Sequence, residues 1–297
     1  MRLSHKMGGM ETTQDIRDAP DVTVSQDWDA YRLDASDVGN GAYLTPQAYR
    51  LAFADPEFLL RRETRGIRFQ LELLKPDLEL AAAGVDHTVV VYGSARILEP
   101  GAAARRLEAV RANGGADDVQ AAERGLRMSR YYADAREFAR LVAAYSKEQA
   151  DGQRFYICTG GGPGIMAAAN RGAHDEGMPS VGLNITLPHE QSGNPWITPE
   201  LSFKFHYFAL RKMHFLMRAK ALVAFPGGLG TLDELFEVLT LVQTHKVRRV
   251  PIVLYGRDYW PRLMNLEMLV EEGAISLEDL QLFHLVDEPE EAWGVIR

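Results

Sequence analysis

Cysteine is almost missing from this chain: 297 residues contain one, Cys158, inside the apolar run from Arg154 to Thr159. A single thiol excludes an intramolecular disulfide and the small secreted scaffolds built on them, and a thiol within a buried strand is an inert one. Long hydrophobic runs are also missing. Nowhere do about 18 apolar residues follow one another, and Met1 to Asp21 is polar and mixed in charge, without an apolar stretch of roughly 7–15 residues. The expectation is a cytoplasmic chain with no signal peptide, no membrane span and no membrane partner. Basic charge is in deficit, 33 Lys and Arg against 41 Asp and Glu, a formal charge of −8. That balance offers no basic face for a nucleic-acid backbone, so an anionic ligand would need a locally positive pocket. Metal-ligand spacing is absent as well: His174, His189, His206, His214 and His245 are scattered, with no His-Glu-x-x-His and no Cys/His cluster. No metal and no cofactor is expected.

What the chain does contain is enough apolar content, 46%, to bury a full core beside 25% charged residues. This suits one large domain, or one domain with an appendage. Residues 1–45 read as a polar, mobile leader. Residues 46–84 read as a helical extension: Asp55-Pro56 is a cap followed by a first-turn proline, and Phe58, Leu59, Ile67, Leu71 and Leu74 supply an apolar pattern that packs across the main domain or a partner subunit. From 85 to 297 strands and helices alternate. Strands are predicted at Thr88–Tyr92, Arg154–Thr159, Ser180–Ile185, Ala221–Phe225 and Val250–Tyr255, with an alternating piece at Phe203–Tyr207. Helices are predicted at about Gln120–Gln149, Gly164–Glu176, Phe208–Arg218 and Leu232–Gln243. Residues 186–200, with three prolines, form a long loop. Such alternation is the mark of right-handed crossovers, so the fold class is α/β: a Rossmann-like, doubly wound, mainly parallel sheet flanked by helices.

Two glycine-rich turns stand out, Thr159-Gly160-Gly161-Gly162-Pro163-Gly164-Ile165-Met166 and Phe225-Pro226-Gly227-Gly228-Leu229-Gly230-Thr231-Leu232-Asp233-Glu234. Each leaves an apolar run and opens an amphipathic stretch. Glycine lets the backbone approach a phosphate, and the N–H groups and dipole of the helix behind it hold the anion. Neither turn has dinucleotide-fingerprint spacing, and neither ends in the Lys-Ser/Thr of an NTPase loop, so hydride transfer and NTP hydrolysis are disfavoured. A mononucleotide or sugar-phosphate site at the carboxyl ends of the strands remains.

Two side chains have competing readings. Thr231-Leu232-Asp233-Glu234 has the spacing of a capping box, in which Thr231 caps the helix and Glu234 reaches back to the Thr231 N–H. Alternatively, Glu234 is a carboxylate held about one ribose away from a phosphate loop. In Phe208 to Arg218 the bland account places Ala209, Met213, Leu216 and Met217 on a buried stripe, with Arg211, His214 and Arg218 solvated. The sharper one aims Arg211 at a phosphate or purine.

The second turn, preceded by Arg211-Lys212-Met213 and by the first turn, resembles the Lonely Guy (LOG) family of nucleoside 5′-monophosphate phosphoribohydrolases, formerly labelled possible lysine decarboxylases. The resemblance covers about residues 85–260 with the motifs in family order, and Gly182 to Tyr207 is similar to the longer bacterial members. It implies hydrolysis of the N-glycosidic bond of a purine nucleoside 5′-monophosphate, AMP or an N6-substituted, cytokinin-type derivative, to free base and ribose 5-phosphate. It further implies Arg211 and Glu234 as the catalytic pair, Gly227, Gly228, Gly230 and Thr231 as the phosphate loop, and Gly93, Ser94, Gly161, Gly162, Met166 and Lys212 as nucleotide-binding residues. A homodimer, or a higher oligomer of dimers, follows from the same likeness. The first eighty or so residues have no counterpart in the short plant-type members, and Ala167 stands where many long members have glutamate. Lysine decarboxylation finds weak support, because pyridoxal phosphate would need a dedicated lysine and Lys212 sits beside an arginine on a helix. The alternative on the same fold is a non-catalytic carrier of a nucleotide or of the molybdenum cofactor, which would have no need of Arg211 and Glu234 together.

Overall fold

The computed structural model describes residues 50–186 and 193–297. The polar leader and residues 187–192 of the proline-bearing loop expected at 186–200 lie outside the described residues. The chain divides into two compact units, Met1–Phe58 and Leu59–Arg297. In the first, Asp55 caps a short helical turn as its spacing predicts, its Oδ1 accepting from the N–H groups of Glu57 (3.0 Å) and Phe58 (3.1 Å).

Among the described residues, the second unit is organised by seven strands: β1 (His87–Tyr92), β2 (Phe155–Thr159), β3 (Ser180–Ile185), β4 (Ser202–Phe205), β5 (Ala219–Ala224), β6 (Ile252–Tyr255) and β7 (His284–Val286). Their order is β4-β3-β2-β1-β5-β6-β7, and every neighbouring pair is parallel. The sheet is thus wholly rather than mainly parallel. The order reverses beside β1, which pairs with β2 on one side and β5 on the other, making the carboxyl ends of β1 and β5 the switch point where such sheets leave a crevice.

Both faces are covered, as parallel sheets require. Strand alternation sends Val89, Val91, Ile157, Val223 and Val253 to one face, under helices α4 (Arg130–Lys147), α5 (Ile165–Asp175) and α9 (Pro289–Ile296). Val90, Tyr92, Cys158, Leu222, Ala224 and Leu254 point to the other, under α1 (Arg65–Ala82), α6 (Phe208–Met217) and α7 (Leu229–Gln243). Helix α4 buries Tyr131, Ala135, Phe138 and Val142 at spacings of three and four, the stripe its sequence predicts. The short helix α8 (Leu266–Glu271) completes the tail.

Three elements differ from expectation. The helix predicted over 120–149 is two helices, α3 (Ala116–Met128) and α4, parted at Ser129, whose Oγ donates to the Leu126 carbonyl at 2.7 Å. Back-bonding of this kind competes with the helical ladder. Helix α2 (Pro100–Asn113) has no strong periodicity to betray it, burying only Ala103 and Leu107. In α6 the exposed positions include Phe208, Met213 and Met217, while Leu210, His214 and Phe215 face the sheet. The bland stripe assignment is therefore rotated by about a third of a turn, because the demand for burial comes from the sheet and from α1, not from the helix's own mean polarity.

A buried polar network ties the first glycine turn to the sheet. Asn170 of α5 accepts from Thr159 Oγ1 (2.7 Å) and from Asn194 Nδ2 (3.0 Å) and donates to Ser180 Oγ (3.0 Å), while Asn194 Nδ2 also reaches the carbonyls of Gly161 and Gly162. Thr159, Asn170 and Ser180 are all at most 1% exposed. Removing the central amide leaves several buried groups unsatisfied. Asn170→Ala is expected to lower unfolding free energy by about 2–4 kcal/mol in a denaturant titration, whereas Asn184→Ala, at the partly exposed end of β3, should cost well under half of that.

Candidate active site

At the switch point lies a cleft of about 770 Å³. Its floor and walls are loops that the sequence brings there for steric reasons. The chain leaving β1 is tied to the chain leaving β5 by Phe225 N–H to Tyr92 carbonyl (2.9 Å) and Ser94 N–H to Pro226 carbonyl (3.0 Å). Ser94 also accepts from the Ile165 N–H (3.1 Å), which seats the first glycine turn against the same loop.

Helix α7 begins with Gly228 as its N-cap, with no side-chain cap and no acidic residue in its first turn. The capping-box reading therefore does not hold. The helix starts two residues earlier than Thr231, so Thr231 lies within the first turn and Glu234 one turn into the helix. Thr231 is instead packed against Gly227, where a Cβ would overlap its side chain. The Gly227 carbonyl accepts from the Tyr259 hydroxyl at 2.7 Å. An uncapped helix end with a glycine-lined approach is the arrangement that holds an external anion on backbone N–H groups.

Arg211, on α6, crosses the site beneath the first glycine turn. Its Nε donates to the Leu183 carbonyl within β3 (2.7 Å), and its guanidinium carbon lies 5.1 Å from the Phe215 ring centroid. Gly160 makes this possible, since a Cβ there would fall on the Arg211 guanidinium and against Met166 Sδ. The first turn thus accommodates the arginine as much as it shapes a loop.

Glu234 faces the cleft with 7% exposure. Burial raises its carboxyl from 4.5 to about 7; the positive charges of Arg211 and Lys212 pull the other way, and Asp233 and Glu237 add to the rise. Lys212 is not in the cleft lining: its Nζ pairs with Asp233 (2.8 Å) and Glu237 (3.2 Å) on the outer side of α7. Cys158, 2% exposed, has its thiol pushed up to about 12 by burial, as befits an inert group.

Of the residues singled out in the sequence, Gly93, Ser94, Met166, Arg211, Gly227, Gly228, Gly230, Thr231 and Glu234 come together around this one cleft. Gly161 and Gly162 are buried behind it and braced by Asn194. Not anticipated were Tyr92 at the end of β1, Arg124 and Met128 near the end of α3, and Tyr259. Tyr92 was legible only as a strand residue. Arg124 and Met128 enter because α3 folds back over the switch point, which no local pattern announces.

Linkage fixes what Glu234 does to stability. Its folded-state carboxyl is raised, so the folded protein binds more protons than the unfolded one between about pH 4.5 and 7, and stability falls as pH rises through that window. Glu234→Gln is expected to stabilise the fold at pH 8 by roughly 3 kcal/mol and to have little effect at pH 4.5. Thermal unfolding of both proteins across that range measures the difference.

Residues 166–296 match the family described as possible lysine decarboxylase. Among curated proteins, the chain is 34% identical over 121 residues to the cytokinin riboside 5′-monophosphate phosphoribohydrolase LOG of Oryza sativa subsp. japonica, covering 39% of this chain and 48% of that protein. It is 29% identical over 154 residues to the probable cytokinin riboside 5′-monophosphate phosphoribohydrolase LOG4 of the same plant, covering 50% and 65%. The matches thus span about half to two thirds of these relatives' length. Among solved structures, the Moco carrier protein of Chlamydomonas reinhardtii is similar at 16% identity with a TM-score of 0.43, covering 71% of this chain and 95% of that one, a likeness too loose to carry function. Among the described residues, no helix is long and apolar enough to cross a membrane.

Proposed function

We propose that this chain is a member of the LOG family, to which its matches are similar, and that it hydrolyses the N-glycosidic bond of a nucleoside 5′-monophosphate, releasing free base and ribose 5-phosphate. The observation that carries the reading is the meeting of a buried carboxylate, Glu234, with an anchored guanidinium, Arg211, at the uncapped start of α7. In this reading the N–H groups around Gly228, Leu229 and Gly230 hold the 5′-phosphate, with Thr231 at the same turn. The pentose then rests beside Glu234. As the bond from C1′ to the base nitrogen breaks, positive charge grows on the anomeric carbon, and the carboxylate stabilises it and orients the incoming water, as carboxylates do in glycoside hydrolysis. Water supplies the oxygen to C1′ and a proton to the departing base. Arg211 holds the nucleotide and balances the carboxylate's charge. The loop after β1, Gly93 and Ser94, and Met166 contact the nucleotide from the opposite wall. Gly161 and Gly162 support the turn from behind, and Lys212 acts by engaging Asp233 and Glu237, which directs it to α7 and not to the ligand.

The phosphate provides binding energy remote from the reacting bond, so nucleosides lacking it are expected to be poor substrates. We further propose that the catalytic body comprises residues 85–297, and that purine monophosphates, AMP or N6-substituted cytokinin precursors, are the substrates; the apolar Met128, Ile97 and Phe215 in the cleft wall support a planar base. Incubation with AMP is expected to yield adenine, read by chromatography. Glu234→Gln should lower release by at least about a thousandfold while AMP binding stays measurable by calorimetry. Turnover of the wild-type protein should rise with pH as Glu234 ionises, with its acid limb near pH 7. Tight AMP binding with no base released from any monophosphate would favour the carrier alternative.

We also propose a homodimer, or a multiple of one. Ile67, Leu71, Leu74 and Leu78 form an exposed stripe on α1 at spacings of four, three and four, each 46–63% exposed. Light scattering on Leu71→Glu/Leu74→Glu is expected to give half the wild-type mass; an unchanged mass would exclude α1 from the contact.

A further inference from the structure

Tyr92 closes β1 at the carboxyl end of the sheet, paired with Ala224 of β5. Alternation turns its ring to the face covered by α6 and α7, where it meets Phe215 edge-on, with centroids 5.2 Å apart at 80°. The residue is 6% exposed and contributes to the same cleft as Arg211 and Glu234. Its hydroxyl oxygen is nonetheless sealed from solvent and has no hydrogen-bond partner among the described residues. A phenylalanine would fill the same space without stranding a polar atom, so the hydroxyl is a cost to the empty protein.

The surroundings decide which group could take the proton that the phenol offers. From α6 comes Arg211, which is a donor only. From β2 comes Cys158, a neutral, buried thiol. From α7 come Glu237, held by Lys212, and Glu234, which faces the cleft. Glu234 is the one strong acceptor left among these. In the empty site its carboxylate borders a cleft that water can enter. A bound nucleotide expels that water, and an ion deprived of hydration needs a fixed donor to stay charged.

We propose that in the occupied cleft the Tyr92 hydroxyl donates a hydrogen bond to the Glu234 carboxylate, holding it anionic and aimed at the anomeric carbon. Tyr92 is then a positioning residue that acts through Glu234, and the inference rests on the phosphoribohydrolase reading given above. Burial keeps the phenol protonated far beyond the neutral range, so the donor is present wherever the enzyme works.

The test is Tyr92→Phe, measured two ways. In steady-state assays on AMP, kcat should fall about tenfold or more with KM nearly unchanged, and the acid limb of kcat should move up by about one pH unit, because the carboxylate has lost a donor. Thermal stability should stay level or rise, which separates the effect from damage to the core. Independently of turnover, ¹³C NMR of glutamate-labelled protein with saturating ribose 5-phosphate, assigned with Glu234→Gln, should give a higher Glu234 midpoint in the variant than in the wild type. Equal midpoints overturn the inference whatever the kinetics, as does a wild-type pH profile in the variant. If wild-type protein releases no base from any monophosphate, the functional reading fails while the midpoints still decide the role of Tyr92.

Discussion

A guanidinium lodged against a glycine holds this site together. Arg211 is fastened at Nε to the Leu183 carbonyl of β3, lies over Phe215 on its own helix, and occupies the space that any side chain at position 160 would need. Three elements distant in sequence, the turn after β2, strand β3 and helix α6, are thereby fixed to one another by a group that cannot lose its charge. The carboxylate across the cleft depends on it in turn. Burial drives Glu234 toward neutrality, and the charge of Arg211 is the largest influence opposing that drift. A glycine that reads as part of a phosphate loop is thus also what lets the arginine in.

Much of this was legible in the chain because the signals were local. β-branched runs gave the strands, and apolar positions recurring at three and four gave α4 and α5. The two glycine turns marked the carboxyl ends of β2 and β5, and the topology placed both at one crevice. What the sequence concealed was set by packing between distant pieces. The face that α6 buries is chosen by the sheet and by α1, so Met213 and Met217 ended outside although their spacing suits a core. The box spacing of Thr231 and Glu234 was a true pattern with a different cause: α7 starts at the glycine before them, and the threonine fills the space over Gly227. Arg124 and Met128 reach the cleft only through the fold-back of α3 over the switch point. Tyr92 carried no sign beyond strand propensity, since a stranded hydroxyl becomes visible only when its neighbours are known.

The electrostatic design follows from net charge. A chain carrying −8 does not draw an anion by its overall field. Attraction must be built in place, from the exposed dipole end of α7, from Arg211, and from the arginines 96 and 124 at the cleft rim. Lys212 shows the opposite arrangement, its charge absorbed by two carboxylates on α7, so that the two neighbouring basic residues of one helix serve different ends. One faces the cleft; the other clamps the helix that presents Glu234.

The strand order also bears on how the molecule is made. Val91 pairs with Thr159 on one side and with Val223 on the other. During synthesis the central strand emerges first and acquires its β2 neighbour early, yet its second edge waits until β5 has left the ribosome. Through that interval an apolar, two-sided strand presents bare amides to anything nearby, a recognised route to aggregation. Parallel pairings across such separations are slow to close. A nascent chain of this topology therefore carries that edge open until Ala219–Ala224 has emerged.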